Sequence, residues 1–175
     1  MLHNFKVLVL AGAGLAAAGV AGAQSSDPVV IDMIGVDGQE IGRASFTPAA
    51  NGQGVLVEAD LTGLSEPGWH GFHIHETGEC DPETGFESAG GHFAPEGNEH
   101  GYLAEGGPHA GDMPNQYVTA ENLLRAEVFN PNVTLGEGET GIRGRALVVH
   151  AGADDYQSQP SGEAGERIAC GVIGS

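Results

Sequence analysis

Glycine is the feature that most constrains how this chain folds, because 30 of its 175 residues are glycine and they separate short apolar runs. A glycine inside a helix costs roughly 1 kcal/mol relative to alanine, so long helices are unfavourable here. The glycines follow no three-residue period, which excludes a collagen-like chain. The length is typical of a single domain.

Eight short runs have the pattern of β-strands. Residues 55–61 (VLVEADL) alternate apolar and polar side chains, the period of a half-buried strand. Asp37-Gly38 is a typical hairpin turn between two of the runs. The other predicted strands are residues 29–36, 41–46, 69–75, 117–120, 123–129, 144–149 and 168–173. Without a convincing helix, this pattern predicts an antiparallel sandwich or barrel.

Residues 1–23 have the pattern of a secretory signal peptide. Lys6 precedes an uncharged apolar run over residues 7–20, and Ala21-Gly22-Ala23 follows as a small-residue cleavage motif. The run is shorter than the about 20 residues that a membrane-spanning helix needs. We therefore expect export, cleavage near Ala23 and a mature domain of residues 24–175. In an exported chain, Cys80 and Cys170 are expected to form a disulfide.

The charge balance excludes some classes of partner. The chain has 24 acidic residues and 6 lysines and arginines, which gives a formal net charge of −18. Binding to nucleic acid or to an anionic membrane surface requires clustered cations, so neither is expected as a partner. Once residues 1–23 are removed, the domain contains no lysine, and its only cations are five arginines.

The histidines lie where predicted strands meet an unusually long loop. His73 and His75 alternate on one strand, so both side chains point to the same face, ~6–7 Å apart. The segment over residues 76–116 is rich in glycine and proline, and loops of that length are uncommon unless they are functional. The chemically interesting residues of the loop are His92, His100, His109 and Asp112, and His150 ends a later strand.

These residues can form two kinds of metal site. Three loop histidines with Asp112 would complete a closed tetrahedral zinc site. His73, His75 and His150 with one loop histidine would supply four imidazoles, a set suited to copper. The alternative is a surface cluster of histidines that only titrates.

Five segments of the chain carry a resemblance to a known family. They are residues 71–76 (GFHIHE), 88–93 (SAGGHF), 99–101 with 109–112 (EHG and HAGD), 147–155 (LVVHAGADD) and 165–171 (GERIACG). Together they resemble the copper/zinc superoxide dismutases, and the export signal resembles that of the bacterial periplasmic branch. The resemblance implies an all-β, eight-stranded antiparallel Greek-key barrel or sandwich with long metal-binding and active-site loops. It also implies a periplasmic antioxidant enzyme that converts superoxide to O₂ and hydrogen peroxide.

The resemblance assigns a role to each of these residues. It implies one copper per subunit, held by His73, His75, His92 and His150. It implies one zinc per subunit, held by His92, His100, His109 and Asp112. His92 would bridge the two metals and take a proton during turnover, and Arg167 would hold the anionic substrate beside the copper.

Other residues of the resembling segments would support the site. Asp154 would accept hydrogen bonds from His73 and His100 and so fix their rings. Cys80 would pair with Cys170, and closing so long a loop stabilises a chain by roughly 4–5 kcal/mol in the chain-entropy model. His70 would be a structural residue rather than a ligand.

Two other functions are compatible with these metal ligands. A non-catalytic copper- and zinc-binding module on the same fold would be favoured by a degraded ligand set or a missing arginine, and neither occurs. A zinc hydrolase needs an open zinc position, whereas the zinc set here is closed. A homodimer is compatible with the sequence. The absence of lysine predicts weak long-range attraction of superoxide.

Overall fold

The computed structural model describes residues 27–174, and these residues form eight β-strands. The strands are β1 (Val29–Gly35), β2 (Glu40–Pro48), β3 (Val55–Thr62), β4 (Gly68–His75), β5 (Asp112–Val118), β6 (Leu123–Asn130), β7 (Ala146–His150) and β8 (Arg167–Val172). Two short 3₁₀ helices, Pro82–Thr84 and Glu87–Ala89, lie between β4 and β5. The predicted signal peptide lies outside the described residues.

The strands close into one antiparallel barrel in the order β1-β2-β3-β6-β5-β4-β7-β8. The chain crosses over from β3 to β4 and again from β6 to β7, which are the long connections of a Greek-key barrel. Pairing of Ile34 with Cys170 joins the first strand to the last. The predicted fold class is therefore confirmed.

Alternation of side chains along β3 and β6 builds the barrel interior. Val57 and Leu61 point inward and are fully buried, while Glu58 and Asp60 between them point to solvent. Phe46 of β2 packs in the same interior cluster. Each such side chain contributes roughly 1.5–3 kcal/mol on burial, so the strands supply most of the barrel core.

The strands β4 and β7 differ from the others because both of their faces are buried. Phe72 and Ile74 of β4 point into the barrel core, whereas His73 and His75 point to the outer face. The loop over residues 76–111 covers that outer face. A second apolar cluster lies there, formed by Phe86, Ala89, Ala146, Val148 and Cys170. The histidines are therefore enclosed between the barrel wall and the loop.

One strand was predicted wrongly: the sequence placed it at residues 117–120, but β5 runs from Asp112 to Val118. Pro114 and Asn115 lie opposite Gly71 in an irregular part of the β4–β5 pairing. A proline has no N–H for the ladder and is tolerated at such a bulge. These residues also interrupt the apolar alternation, so the strand has no pattern that a sequence search would find.

A disulfide fastens the long loop to the barrel. Cys80 in the loop is bonded to Cys170 on β8, with their Cα atoms 5.7 Å apart and a sequence separation of 90 positions. The predicted pairing is confirmed. Within residues 27–174, no helix is long and apolar enough to cross a membrane.

Candidate metal centre

Two neighbouring strands supply three of the histidines. His73 pairs with Val148 across β4 and β7, and His75 pairs with Ala146. His150 lies two residues beyond Val148 and therefore points to the same outer face. Strand geometry alone brings these three imidazoles together.

The fourth histidine, His92, is brought in by backbone pairing between the loop and β4. His92 forms an isolated β-bridge with His75. The Phe93 amide donates to the Ile74 carbonyl oxygen at 2.8 Å, and the Glu76 amide donates to the Gly91 carbonyl oxygen at 2.9 Å. This local pairing sets the His92 ring 4.9 Å from the His75 ring, measured between centroids.

We call His73, His75, His92 and His150 the four-histidine group. One ring nitrogen from each lies within 4.8 Å of the others, and all four residues are buried. His75 Nε2 faces His150 Nε2 at 3.2 Å. His73 Nδ1 and His92 Nε2 are buried without any hydrogen-bond partner among the described residues. Buried nitrogens that face one another in this way are the donor set of a metal site.

The remaining ring nitrogens hold the rings in the required tautomer. His75 Nδ1 donates to the Gly90 carbonyl oxygen at 3.0 Å, and His150 Nδ1 donates to the Gly165 carbonyl oxygen at 3.2 Å. Burial lowers the pKa of His75 well below its usual value, that of His92 to about 4 and that of His150 to about 3. Burial also lowers the pKa of His73, so the four imidazoles are neutral at pH 7, as metal-binding imidazoles must be.

We call His92, His100, His109 and Asp112 the carboxylate group. The Oδ1 atom of Asp112 lies 3.0 Å from His92 Nδ1, 3.1 Å from His100 Nδ1 and 3.4 Å from His109 Nδ1. A zinc tetrahedron with bonds of 2.0–2.1 Å has edges of roughly 3.3 Å, so these four donors fit a zinc ion. His92 belongs to both groups, with Nδ1 directed to one and Nε2 to the other.

Backbone amides prepare the Asp112 carboxylate for this role. Its Oδ2 atom accepts from the Gly101 amide at 2.9 Å and from the His109 amide at 3.0 Å, which leaves Oδ1 for the histidines. Burial acts against ionisation, but the contacts with the His100, His109 and His92 rings hold the pKa of Asp112 far below its usual value. Burial likewise opposes protonation of His100, but its contacts with Asp112 and Asp154 raise its pKa to about 9.

Asp154 joins the two groups. Its Oδ2 accepts from His73 Nε2 at 2.8 Å and its Oδ1 accepts from His100 Nε2 at 3.0 Å. Although burial opposes it, these two hydrogen bonds lower the pKa of Asp154, so the bridge is a carboxylate. Gly162 has φ of +71°, and any Cβ there would collide with the Asp154 carboxylate. The bridge connects one ring of each group.

Arg167 lies beside the four-histidine group. Its Nη2 donates to the Gly90 carbonyl oxygen at 2.7 Å, the same oxygen that accepts from His75, and its Nη1 donates to the Phe86 carbonyl oxygen. Burial is the main cause of the lowered pKa of His75, and the Arg167 charge adds to it. Glu87 approaches the same guanidinium at 3.7 Å and is largely exposed.

His70 is buried near the group but does not belong to it. Both of its ring nitrogens contact carbonyl oxygens, those of His150 at 2.7 Å and Glu66 at 2.8 Å. Neither nitrogen is available to a metal.

Sequence reasoning missed two amide side chains that hold the site. Asn115 exchanges a pair of 2.8 Å hydrogen bonds with the backbone of Asp154. Gln159 forms the same kind of pair, also at 2.8 Å, with the backbone of His100. Each contact joins residues about forty to sixty positions apart, and a lone Asn or Gln in a polar loop has no motif that would reveal it.

A closed barrel that carries two buried four-donor groups sharing one histidine defines a binuclear metalloprotein. The family model for copper/zinc superoxide dismutase (SODC) matches residues 40–173. The chain belongs to that family, and the predicted resemblance is confirmed.

Curated relatives and solved structures agree with this assignment. The chain is 49% identical to "Superoxide dismutase [Cu-Zn] 2" of Aquifex aeolicus over 81% of this chain and 84% of that one. It is 40% identical to the Caulobacter vibrioides "Superoxide dismutase [Cu-Zn]" over 78% and 80% of the two chains. A double mutant of an SOD-like protein from Bacillus subtilis superposes with a TM-score of 0.78 at 35% identity, covering 83% of this chain and 97% of that one. Copper/zinc superoxide dismutase from Brucella abortus superposes with a TM-score of 0.69 at 31% identity, covering 84% and 99%.

Proposed function

We propose that this protein dismutes superoxide, with copper in the four-histidine group and zinc in the carboxylate group. Two donor groups that share His92 and adjoin Arg167 carry the proposal, and membership of the family supports it. Four neutral imidazoles suit copper. Three imidazoles and one carboxylate fit a closed, structural zinc site.

Copper held by the four-histidine group would supply one-electron redox chemistry, by which one superoxide is oxidised to O₂ and a second is reduced and leaves with two protons as hydrogen peroxide. Arg167 attracts and orients the anion, because its guanidinium is a permanent charge with several donors. Fixed by the Phe86 and Gly90 carbonyl oxygens, it keeps its position before the anion arrives.

His92 supplies a proton position. Its Nε2 atom faces the four-histidine group and has no partner among the described residues, whereas its Nδ1 atom faces Asp112. When Nε2 is free of metal it can take a proton and pass it to the departing peroxide. Asp154 keeps the His73 ring aligned meanwhile, because it holds the nitrogen that points away from the group.

Two competing functions are less well supported. A zinc hydrolase needs a coordination position open to water, but the carboxylate group already offers four donors. A non-catalytic metal-binding module would have no need of a cation held beside the copper ligands, and Arg167 is held there.

We further propose that the protein is exported to the periplasm and acts there without residues 1–23. The pattern of that segment supports export, and the Cys80–Cys170 disulfide is typical of an oxidising compartment. Mass spectrometry of the periplasmic fraction tests this. A chain beginning at Gln24 is expected, and an intact Met1 terminus in the cytoplasm would contradict the proposal.

Metal analysis combined with a superoxide assay tests the function. The purified protein is expected to bind one copper and one zinc and to remove superoxide, while the zinc-only protein is inactive. The Arg125→Ala variant serves as a control for handling, since Arg125 is an exposed residue of β6 paired with Asp60. A copper- and zinc-loaded protein without activity would favour the binding module.

A further inference from the structure

Arg145 holds together two chain segments that carry ligands of the four-histidine group. It lies immediately before β7, where its Nη1 donates to the Glu76 carbonyl oxygen at 2.7 Å. Its guanidinium carbon lies 3.7 Å from the centroid of the Phe93 ring. Glu76 follows His75 directly and Phe93 follows His92, so one side chain contacts the neighbour of each ligand.

These two segments are also joined directly, by backbone hydrogen bonds and by side-chain contacts such as that of His75 with the Gly90 carbonyl oxygen. The Gly91 amide donates to Glu76 Oε1 at 3.1 Å, in addition to the backbone pairs described above. Gly78 packs so closely on the Gly144 carbonyl that a Cβ would collide with it, which draws this end of the loop against the segment before β7. Arg145 therefore lies at the point where the loop leaves β4 and returns to it.

The contacts of Arg145 leave it little freedom to act as a charge for the substrate. Its Nε donates to the Gly141 carbonyl oxygen at 3.0 Å, so the backbone on one side and the Phe93 face on the other fix the guanidinium plane. The planar guanidinium can lie over the ring face while its Nε and Nη1 donors reach the two carbonyl oxygens. Lysine can keep the charge but cannot make all three contacts.

We propose that Arg145 is a positioning residue that fixes the separation of His75 and His92, and thereby the geometry in which copper is held. The inference rests on the proposed function, because it takes the four-histidine group to be the copper site. It predicts that the shape of the copper site, rather than the stability of the barrel, is sensitive to this side chain.

The test compares Arg145→Lys with a matched control, Arg143→Lys. Arg143 also donates to two backbone carbonyl oxygens, those of Leu135 and Gly174, but it contacts neither ligand-bearing segment. Each variant is loaded with copper and zinc. The electron paramagnetic resonance spectrum of Cu(II), copper retention against a chelator and the Tm of the metal-free protein are then measured.

The Arg145→Lys variant is expected to have an altered copper spectrum and about tenfold weaker copper retention, the lower end of what outer partners of metal ligands contribute. The Tm of the metal-free Arg145→Lys variant is expected to equal that of metal-free Arg143→Lys. The copper spectrum of Arg143→Lys is expected to be the same as that of the unsubstituted protein. An unchanged spectrum and unchanged retention in Arg145→Lys would overturn the inference. So would a change of the same size in Arg143→Lys.

A second variant covers the case in which Arg145→Lys does not fold. Phe93→Leu removes the aromatic face and keeps an apolar side chain, so a smaller spectral change in the same direction is expected. No spectral change there would also overturn the inference. A failure of the proposed function is recognised separately, because the unsubstituted protein would then lack either the copper signal or superoxide removal.

Discussion

The two metal-binding groups share the His92 ring, but the protein holds them in different ways. In the carboxylate group, Asp112 contacts three imidazoles and is itself held by two backbone amides, so protein hydrogen bonds already draw the donors together. The four-histidine group has no such centre. The rings of His73, His75 and His150 are held instead by hydrogen bonds from the ring nitrogens that point away from the group.

This difference matches the chemistry proposed for each group. A fixed carboxylate and a closed tetrahedron suit zinc, which does not change its charge. Four neutral donors without an anion at the centre leave copper free to change between two oxidation states. We therefore expect the carboxylate group to be a structural anchor for the loop and the four-histidine group to be the reactive site. The following predictions test that separation, from the largest expected effect to the smallest.

Removal of a ligand from the four-histidine group is expected to abolish activity without unfolding the barrel. In His150→Ala, the three remaining nitrogens have no replacement for the lost one among residues 27–174, so copper is released or left inert. Superoxide assays are expected to give the background rate, while circular dichroism and the disulfide are unchanged. Retention of most of the activity together with bound copper would show that the group is assigned wrongly.

Removal of the Arg167 charge is expected to slow turnover while both metals stay bound. The side chain contacts carbonyl oxygens of the loop and no donor atom of either group. Arg167→Ala is expected to lower kcat/KM by about 10- to 100-fold, within the range that local steering charges contribute. Arg125→Ala is the control and is expected to keep the full rate. If kcat/KM falls by the same factor in both variants, Arg167 acts only through the net charge of the protein and not through its position beside the copper ligands.

Removal of the Asp112 carboxylate is expected to weaken zinc binding and loosen the loop. Asp112→Ala takes away one ligand and the acceptor for the Gly101 and His109 amides. Hydrogen exchange on samples matched for metal content is expected to rise within residues 76–111 and to stay constant in β1, β2 and β3, which have their own core. Unchanged zinc content with unchanged protection of the loop would contradict the anchoring role.

In the metal-free protein, the pKa values of His100 and His150 are expected to be shifted in opposite directions from the usual value. His100 contacts two carboxylates and has its pKa raised to about 9, so its stabilising charge is present below pH 6.5 and is lost as the pH rises toward 9. His150 has its pKa lowered to about 3, so its contribution is present above pH 6.5 and is lost as the pH falls. NMR titration of the ring protons measures both. A His100 pKa near 6.5 would mean that the carboxylate group does not assemble without metal.

The smallest effect is expected from the acidic surface. Glu87 lies 3.7 Å from Arg167 and reduces its attraction for an anion. Glu87→Gln is expected to raise the rate about twofold at low salt, since exposed charges interact weakly and are screened.

The unsubstituted protein, with a net charge of −18 for the whole chain, is expected to show a flat or slightly rising rate from about 10 to 300 mM salt. A steep fall with salt would mean that local cations outweigh the global charge.

The sequence predicts those features of the fold and the site that depend on residues close together in the chain. Alternation such as that of residues 55–61 predicts an antiparallel sandwich or barrel, and the period of a strand places His73 and His75 on one face. The choice of a Greek-key barrel rests on the family resemblance. Most of the predicted strand bounds lie within a few residues of the observed ones. Strand β5 was misplaced because Pro114 and its polar neighbours remove the alternation, although the bulge opposite Gly71 tolerates them.

Three supporting residues of the site, Asn115, Arg145 and Gln159, could not be predicted, for a different physical reason. Arg145 acts on Glu76 across 69 positions, and Gln159 acts on His100 across 59. Such contacts are set by how the loops pack on the closed barrel, and no local period or spacing records them. The proposed metal ligands are a different case. Their residue types and spacing indicate candidates, the family resemblance divides these candidates into two sets, and the structure places the side chains of each set close together.

Anomalous diffraction at the copper and zinc absorption edges tests the central claim most directly. Crystals of the protein loaded with both metals are expected to show a copper peak among His73, His75, His92 and His150. They are expected to show a separate zinc peak beside Asp112, with the His92 ring between the two peaks when copper is oxidised. Both metals mixed at one position, or copper beside Asp112, would contradict the separation of roles between the two groups.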